Sequence, residues 1–418
     1  MEILSRFETE FAKYAKAKLA NGLEVIVCSR PATRSFAWVL SVKAGARDGK
    51  PHLAHLVEHL SIGDLSKFSS QSEYVNASTQ FSKTDYFMSG HQNDLGFGLE
   101  MLHAILKPLD VTAEQAHNEC EILRREQIET GFVNLQLQRA HHRALGGDAL
   151  GKSYKVNVKK RPRLTAADCN EFHRKHYYPA NATFCLVCPE NIEDTLAMIQ
   201  ESVGGLTTTT TDQPEPFEPQ HRRRMNSLFY NYSCVTYATW HDLRNPSLEQ
   251  RLALKMVHEI LGRFGKFFEA IRNANQLAYG IYLEDVNDTE RYCQLILTNL
   301  GRFRVRKAVR LISDEIAEVC KPQSREDFDR YLQSRLQAYD LLEEQTLGLA
   351  TSLLEWNSIS GPELLTPKQL KEVLAGITPE KLAETAATFF DPDNRHVFLS
   401  GPFGPLGRRS AKKFAAGI

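Results

Sequence analysis

The sequence predicts an α+β protein of two similar halves, each an antiparallel-rich sheet with helices packed on one face. The first observation is length, because 418 residues exceed what one hydrophobic core usually holds and suit two domains of about 200 residues. The second is an order of elements that repeats along the chain: strands, a helix, more strands, paired helices and a closing strand. Two homologous repeats are therefore expected.

The third observation is a segment that separates the halves. Residues 207–220 begin with five consecutive threonines and continue with Pro214, Pro216 and Pro219. This composition does not form a helix and favours an extended tether. We therefore predict a first domain at residues 1–206, a linker at 207–220 and a second domain at 221–418.

The elements of the first half follow from apolar patterning in strands and from uninterrupted helix-forming segments. The predicted strands lie at residues 23–28, 36–44, 74–80, 85–90 and 183–188. The predicted helices lie at residues 96–106, 113–130 and 165–176, and one further helix follows the second strand. That further helix carries the most informative residues of the chain.

This helix contains His55, Glu58 and His59 in the sequence His-Leu-Val-Glu-His. At offsets i, i+3 and i+4 the three side chains lie on one helix face and can reach one point. Imidazole nitrogens bind zinc well, and a carboxylate beside them can take a proton from an attacking water. The order is the reverse of His-Glu-x-x-His and is the inverzincin motif. The pattern therefore predicts a zinc hydrolase.

A zinc site needs a third protein ligand, and the predicted helix at residues 113–130 offers one. Glu119 and Glu126 lie seven residues apart on one stripe of this helix, so that one could bind the metal while the other orients a neighbouring ligand. Glu121 and Glu129 compete for the same role, since acidic residues on a helix are often only a solvated face. Spacing alone does not choose among the four.

The second half repeats the order of elements without the metal motif. A strand is predicted at residues 228–239 and a helix at 247–261, which corresponds to the helix of His55. The second helix carries His258 and Glu259 but no His-x-x-Glu-His. We therefore predict that the second half is a metal-free copy.

Three runs of the first half resemble the pitrilysin-type zinc metallopeptidase superfamily, the inverzincins that include insulin-degrading enzyme and the mitochondrial processing peptidase. The runs are residues 21–27, 43–60 and 76–87. The resemblance implies that Glu126 is the third zinc ligand and that Glu119 supports the site. It also implies that Asn76 and Ala77, on an edge strand, pair with the backbone of an extended substrate.

The resemblance includes one departure from the family pattern. The separation of His59 and Glu126 is 126 − 59 = 67 positions, which is shorter than is usual in the family. We place the shortening between Leu60 and Asn76, in a surface hairpin where a deletion costs little.

The resemblance continues at residues 265–282, which match the family's Arg-x6-Tyr signature in Arg272 and Tyr279. In the family this pair reaches the zinc site from another lobe, where it helps bind substrate and stabilise the charge of the tetrahedral intermediate. Donors placed in advance are well suited to a developing oxyanion. The resemblance therefore implies that Arg272 and Tyr279 belong to the catalytic machinery together with Glu58.

A complete chamber in the family has four such repeats, whereas this chain holds two and so forms half of a clamshell. The resemblance implies a second subunit. A homodimer is favoured because both the zinc motif and the Arg–Tyr pair are present, and a heterodimer with a related subunit is the alternative. The implied activity is that of a zinc-dependent endopeptidase with one Zn²⁺ per chain, acting on unfolded peptides or a peptide precursor. The competing hypothesis is a non-catalytic peptide-binding or scaffold subunit of a heteromeric peptidase complex.

Composition excludes some other partners. The formal net charge is zero and the pI is near 7.2, so electrostatics gives no case for nucleic acid or an anionic membrane. The sequence has neither a long apolar run nor a secretory signal at its start, and we expect a cytoplasmic protein. Cys185 and Cys188 form a C-x2-C pair, but on a strand they would point to opposite faces, so no metal knuckle is expected.

Overall fold

The computed structural model describes residues 1–63, 74–80, 82–129, 164–207, 224–227, 234–262, 264–287, 291–301 and 303–401. The predicted linker, apart from Thr207, lies outside the described residues, as do positions 228–233 of the predicted strand at 228–239. The site of the proposed shortening, between Leu60 and Asn76, is described only at its two ends.

The described residues form strands in two sheets. The strands are β1 Glu2–Glu8, β2 Lys13–Lys18, β3 Glu24–Ser29, β4 Ser35–Val42, β5 Tyr74–Thr79, β6 Thr84–His91, β7 Ala182–Cys188, β8 Arg224–Ser227, β9 Cys234–Arg244, β10 Ile281–Asn287, β11 Arg291–Gly301 and β12 Arg395–Gly401.

Helices connect and cover these strands. They are α1 Leu53–Ile62, α2 Leu95–Leu106, α3 Ala113–Glu129, α4 Ala166–His176, α5 Ile192–Val203, α6 Leu248–Leu261, α7 Lys266–Phe268 (continued by a π-helical turn at Glu269–Asn273), α8 Val305–Val319, α9 Arg325–Glu343, α10 Thr346–Asn357, α11 Pro367–Ala375 and α12 Pro379–Phe389.

The two sheets share one topology. The first has the order β1-β2-β3-β7-β4-β6-β5, and the second has the order β8-β12-β9-β11-β10 when written in the same direction. In each sheet the closing strand runs parallel to one earlier strand, as β7 does to β3 and β12 to β8, while the other pairs are antiparallel. The predicted α+β class with two homologous repeats is therefore confirmed, and within the described residues the first repeat carries one more hairpin, β1–β2.

The helices of the first repeat pack on one face of its sheet, around Trp38 and Phe184. Their rings lie 5.9 Å apart, and both are fully buried in a cluster with residues of α1, α2, α4 and α5. Helix α2 can pack close to β4 because it has Gly98 at the contact, where a Cβ would lie 2.9 Å from the Phe36 ring. This layer fixes the position of α1.

The opposite face of the first sheet is also covered, which differs from the predicted packing on one face. Helix α10 buries Leu349, Ala350 and Leu353 against β-strand residues such as Val39 and Val187. The reason is physical: β3, β4 and β7 are apolar on both faces, so neither face is stable in water.

The described part of the chain divides into two compact units. The first comprises the described residues of 1–129, 164–207 and 340–367, and the second those of 224–339 and 368–401. The segment 340–367 thus packs within the first unit although it follows most of the second along the sequence. The predicted domain limits at 206 and 221 stay a prediction.

Two further features concern cysteines and membranes. Cys185 and Cys188 lie on β7 as free thiols, with Cys185 in the core under α10 and Cys188 in the core of the other face, so they point apart as expected. Within the described residues, every helix is too short or too polar to span a bilayer.

Candidate metal centre

Helix α1 positions the predicted metal ligands by burying its other side. Leu53, Leu56 and Val57 are packed in the core at 6% exposure or less, so His55 and His59 project from the partly exposed face. The helix starts sharply after His52, whose φ of 66° lies in the left-handed region that few non-glycine residues adopt. It stops one turn after the motif, at Gly63.

Three of the predicted residues converge in the first unit. The Nε2 atom of His55 lies 3.5 Å from Oε2 of Glu126, and Nε2 of His59 lies 3.6 Å from the same oxygen. One ligand atom from each of the three side chains lies within 4.8 Å of the others. Among the described residues, this is the cluster of His, Cys, Asp and Glu side chains able to hold a metal ion.

The donor set fits zinc, and so do the two distances from the imidazoles to the carboxylate. Two imidazoles and one carboxylate are the protein ligands of a catalytic zinc site that keeps its fourth position open. Bonds of roughly 2.0–2.1 Å to a tetrahedral ion place ligand atoms about 3.3–3.4 Å apart. The distances from Glu126 to His55 and His59, 3.5 and 3.6 Å, are close to this value. The residues present therefore fit the metal that the motif implies.

The structure distinguishes among three of the four candidate glutamates of α3. Glu126 turns toward both histidines, and Oε2 of Glu119 lies 3.3 Å from Nδ1 of His59. Glu121 instead pairs with Arg124 at 3.2 Å. A carboxylate on the far nitrogen of an imidazole fixes the ring orientation and directs the other nitrogen to the metal. Glu119 is therefore placed to orient His59, and the short spacing from His59 to Glu126 does not prevent their approach.

Glu58 lies on the same helix but is buried, at 5% exposure. Its Oε2 accepts a hydrogen bond of 2.5 Å from the hydroxyl of Thr79, the last residue of β5. A hydroxyl donor on one oxygen leaves the other oxygen of the carboxylate to accept a proton. The sequence reasoning did not identify Thr79. A polar residue on the inner face of the strand after the motif helix is the sequence feature that would have indicated Thr79.

Burial and neighbours shift the protonation equilibria of the cluster in different directions. Burial lowers the pKa of His55 to about 3, so its imidazole is neutral and able to bind a metal. The hydrogen bond that the His59 ring donates to Glu119 raises the pKa of His59. Burial raises the pKa of Glu58, against the opposing effect of the Thr79 hydrogen bond. A carboxyl with a raised pKa is suited to exchange protons near neutral pH.

Asn76 and Ala77 lie on β5, which is the edge strand of the first sheet. Asn76 is exposed, and its Oδ1 accepts a hydrogen bond of 2.9 Å from the backbone N–H of Ala77. This N–H therefore points away from β6, toward the open edge. An extended peptide could add to such an edge once the Asn76 side chain swings aside.

Arg272 and Tyr279 come together in the second unit. The guanidinium of Arg272, on the π-helical turn, lies 4.6 Å from the centre of the Tyr279 ring and 4.7 Å from that of Phe268. Tyr279 is 79% exposed. Stacking between two rings holds the guanidinium in a defined plane. The pair is therefore preorganised and open to a ligand.

Helix α6 is the counterpart of α1 in the second unit. Both helices end at a glycine whose N–H donates to a histidine carbonyl: Gly63 to His59, and Gly262 to His258. Counting back from these ends, buried Leu254 occupies the position of His55, and buried Val257 that of Glu58. The second copy thus has apolar side chains at two of the three motif positions.

Comparison with families and curated proteins gives matches over parts of the chain. A family model described as the inactive domain of M16 peptidases matches residues 163–335, a range that includes α6 but not α1. Coenzyme PQQ synthesis protein F of Pseudomonas syringae is 30% identical over 220 residues, 48% of this chain and 28% of that protein. Insulin-degrading enzyme of Mus musculus is 22% identical over 247 residues, 52% of this chain and 24% of that protein. The match thus spans less than a third of either relative.

Solved structures match nearly the whole chain. A protease from Helicobacter pylori has a TM-score of 0.74 at 16% identity, covering 94% of this chain and 100% of that one. The periplasmic protease PqqL of Escherichia coli has a TM-score of 0.72 at 16% identity, covering 96% of this chain and 46% of that one. The ferredoxin protease FusC, solved in complex with Arabidopsis ferredoxin, has a TM-score of 0.66 at 14% identity, covering 98% and 51%. At these identities the similarity shows the fold.

Proposed function

Because this chain belongs to the pitrilysin-type superfamily of M16 peptidases, we propose that it is a zinc-dependent endopeptidase that hydrolyses unfolded peptides or a peptide precursor. The observation that carries the proposal is the convergence of His55, His59 and Glu126 on one point, with the buried carboxylate of Glu58 on the same helix. Two imidazole ligands, a carboxylate ligand and a buried general base together are the parts of a hydrolytic metal site.

In this proposal His55, His59 and Glu126 hold one zinc ion per chain. When bound, the zinc supplies Lewis acidity that activates a water and polarises a carbonyl. Glu119 keeps the His59 ring in the orientation that presents Nε2 to the cluster.

The other residues bind the peptide and move a proton. Asn76 and Ala77 pair with the substrate backbone as an added strand, which selects extended chains rather than one sequence. Glu58 takes a proton from the attacking water and gives it to the leaving amine. Arg272 and Tyr279 donate to the carbonyl oxygen as negative charge develops on it.

The proposal includes a second subunit. The chain corresponds to about half of the solved PqqL and FusC chains, covering 46% and 51% of them. A homodimer would join the zinc cluster of one copy to the Arg272–Tyr279 pair of the other, and would do so twice by symmetry.

One observation favours a second candidate function, that of a non-catalytic peptide-binding or scaffold subunit. The family model that matches residues 163–335 describes an inactive domain. The match includes α6 of the metal-free copy and leaves out α1.

Glu58→Gln tests the proposed function directly. The amide keeps the shape of the side chain but cannot take a proton, so we expect about one zinc per chain to remain and peptide cleavage to fall by about 10²- to 10⁴-fold. Zinc is measured by elemental analysis and cleavage with an unstructured fluorogenic peptide. The matched control is Glu318→Gln, because Glu318 is exposed and pairs with Lys321. This variant should have the zinc content and the cleavage rate of the wild type.

A wild-type protein that holds zinc and cleaves no peptide supports the scaffold function. Undiminished cleavage by the Glu58→Gln variant would show that Glu58 is not the general base.

A further inference from the structure

We propose that Thr79 is a positioning residue that assigns the two oxygens of Glu58 to different tasks, an inference that rests on the proposed function. The Thr79 hydroxyl holds Oε2 as an acceptor, and Oε1 is left to take the proton of the attacking water. Thr79 is therefore expected to influence the chemical step without touching the metal or the substrate.

The geometry that supports this role lies between a helix and a strand of the first unit. Oγ1 of Thr79 donates to Oε2 of Glu58 at 2.5 Å, and the backbone N–H of Thr79 also donates to this carboxylate. Glu58 is buried at 5% exposure, while Thr79 is half-buried at the end of β5. Two donors from one residue hold a carboxylate more firmly than either would alone.

The hydroxyl has one proton to donate, and this limits what Oε2 can do. This hydrogen bond engages one lone pair of Oε2 and makes that oxygen less basic, so Oε1 is the oxygen that takes the proton of the water. In the proposed step an O–H bond of water breaks as an O–H bond forms at Oε1, and the water oxygen bonds to the carbonyl carbon. The same proton then leaves Oε1 for the nitrogen of the leaving amine as the C–N bond breaks.

Without Thr79 the Glu58 side chain would lose the hydrogen bonds that hold it, because its neighbours His59 and Glu126 are proposed to bind zinc. A glutamate has three rotatable side-chain bonds, so loss of the anchor lets the carboxylate move away from the position needed for proton transfer.

Thr79 also connects the base to the substrate-binding edge. Asn76 and Ala77, which are proposed to pair with the substrate, precede Thr79 on the same short strand. A peptide that pairs with β5 is therefore positioned by the same strand that anchors the Glu58 carboxylate. This arrangement explains why a hydroxyl on the strand, rather than on α1, would anchor the base.

The test compares Thr79→Val, which removes the hydroxyl and keeps the branched shape, with Thr79→Ser, which keeps the hydroxyl. We expect kcat of the valine variant to fall about 10- to 100-fold, the range of a lost hydrogen bond to a charged group. KM and zinc content should stay within about twofold of the wild type, and the serine variant should recover most of kcat.

The matched control is Thr236→Val in the second unit. Thr236 is also on a strand, β9, and its hydroxyl donates to a side-chain oxygen, Oδ1 of Asn299, at 2.7 Å. This substitution also removes a buried hydroxyl hydrogen bond, so it should lower stability while leaving kcat unchanged. A fall in kcat equal to that of Thr79→Val would show that the effect is only structural.

A second readout does not depend on activity. In crystal structures of the zinc-free protein, the Glu58 carboxylate should leave its wild-type position in Thr79→Val and keep it in Thr79→Ser. An unmoved carboxylate, or a valine variant with wild-type kcat, overturns the inference. Failure of the proposed function is distinguishable, because the wild type itself would then lack zinc or cleavage while the carboxylate shift could still be observed.

Discussion

At the scale of single residues, two of the three functional side chains of α1 are held by a neighbour on another element. Glu119 of α3 meets His59, and Thr79 of β5 meets Glu58. The offsets i, i+3 and i+4 on a helix were enough to predict that His55, Glu58 and His59 share a site. Glu119 was expected to support the site only through the resemblance, and Thr79 was missed, because both anchors come from elements that are distant in sequence.

Glu119 provides the prediction at this scale. Glu119→Gln weakens the hydrogen bond that orients His59, so we expect the dissociation constant of zinc to rise about 10- to 100-fold. Glu121→Gln is the matched control, because Glu121 lies on the same helix and pairs with Arg124. Competition with a chromophoric chelator measures both affinities. Equal affinities for the two variants would contradict the role of Glu119.

At the scale of secondary-structure elements, patterning predicted most helices and strands near the site but not the β1–β2 hairpin. The hairpin is rich in charged residues, and its one fully buried lysine, Lys16, breaks the expected alternation. Lys16 is tolerated because Nζ donates to the carbonyls of Asn357 and Gly361, at 2.6 and 2.5 Å, just after α10 ends. An apolar pattern gives the buried face of a helix but not the surface it covers, so the place of α10 could not be predicted.

Lys16 provides the prediction for this element. Lys16→Met removes the cation at the C-terminus of α10 and its hydrogen bonds to the carbonyls of Asn357 and Gly361, so the free energy of unfolding should fall by about 2–4 kcal/mol. Lys18→Met, on the same strand but exposed, should change it by less than about 0.5 kcal/mol. Urea denaturation followed by circular dichroism measures both, and equal midpoints for the two variants would exclude this role.

At the scale of the whole molecule, the order of elements predicted the repeated topology, which both sheets then display. Length and repeat order predicted two similar repeats but not their strand order, because β7 and β12 pair with strands that lie far earlier in the sequence. The membership of residues 340–367 in the first unit depends on packing between segments distant in sequence, which local patterning does not record. The proposal at this scale is that the zinc cluster and the Arg272–Tyr279 pair complete one site only when two copies associate.

Mixing two inactive variants tests that claim most directly. In a Glu58→Gln and Arg272→Ala heterodimer, one site combines an intact Glu58 with an intact Arg–Tyr pair, while the other site lacks both. After subunit exchange of equal amounts, random pairing predicts recovery to about a quarter of wild-type peptide cleavage. Mixing Glu58→Gln with His55→Ala, both altered in the zinc half, should recover nothing. Absence of recovery in the first mixture, under conditions where the subunits exchange, would contradict a site shared between two copies.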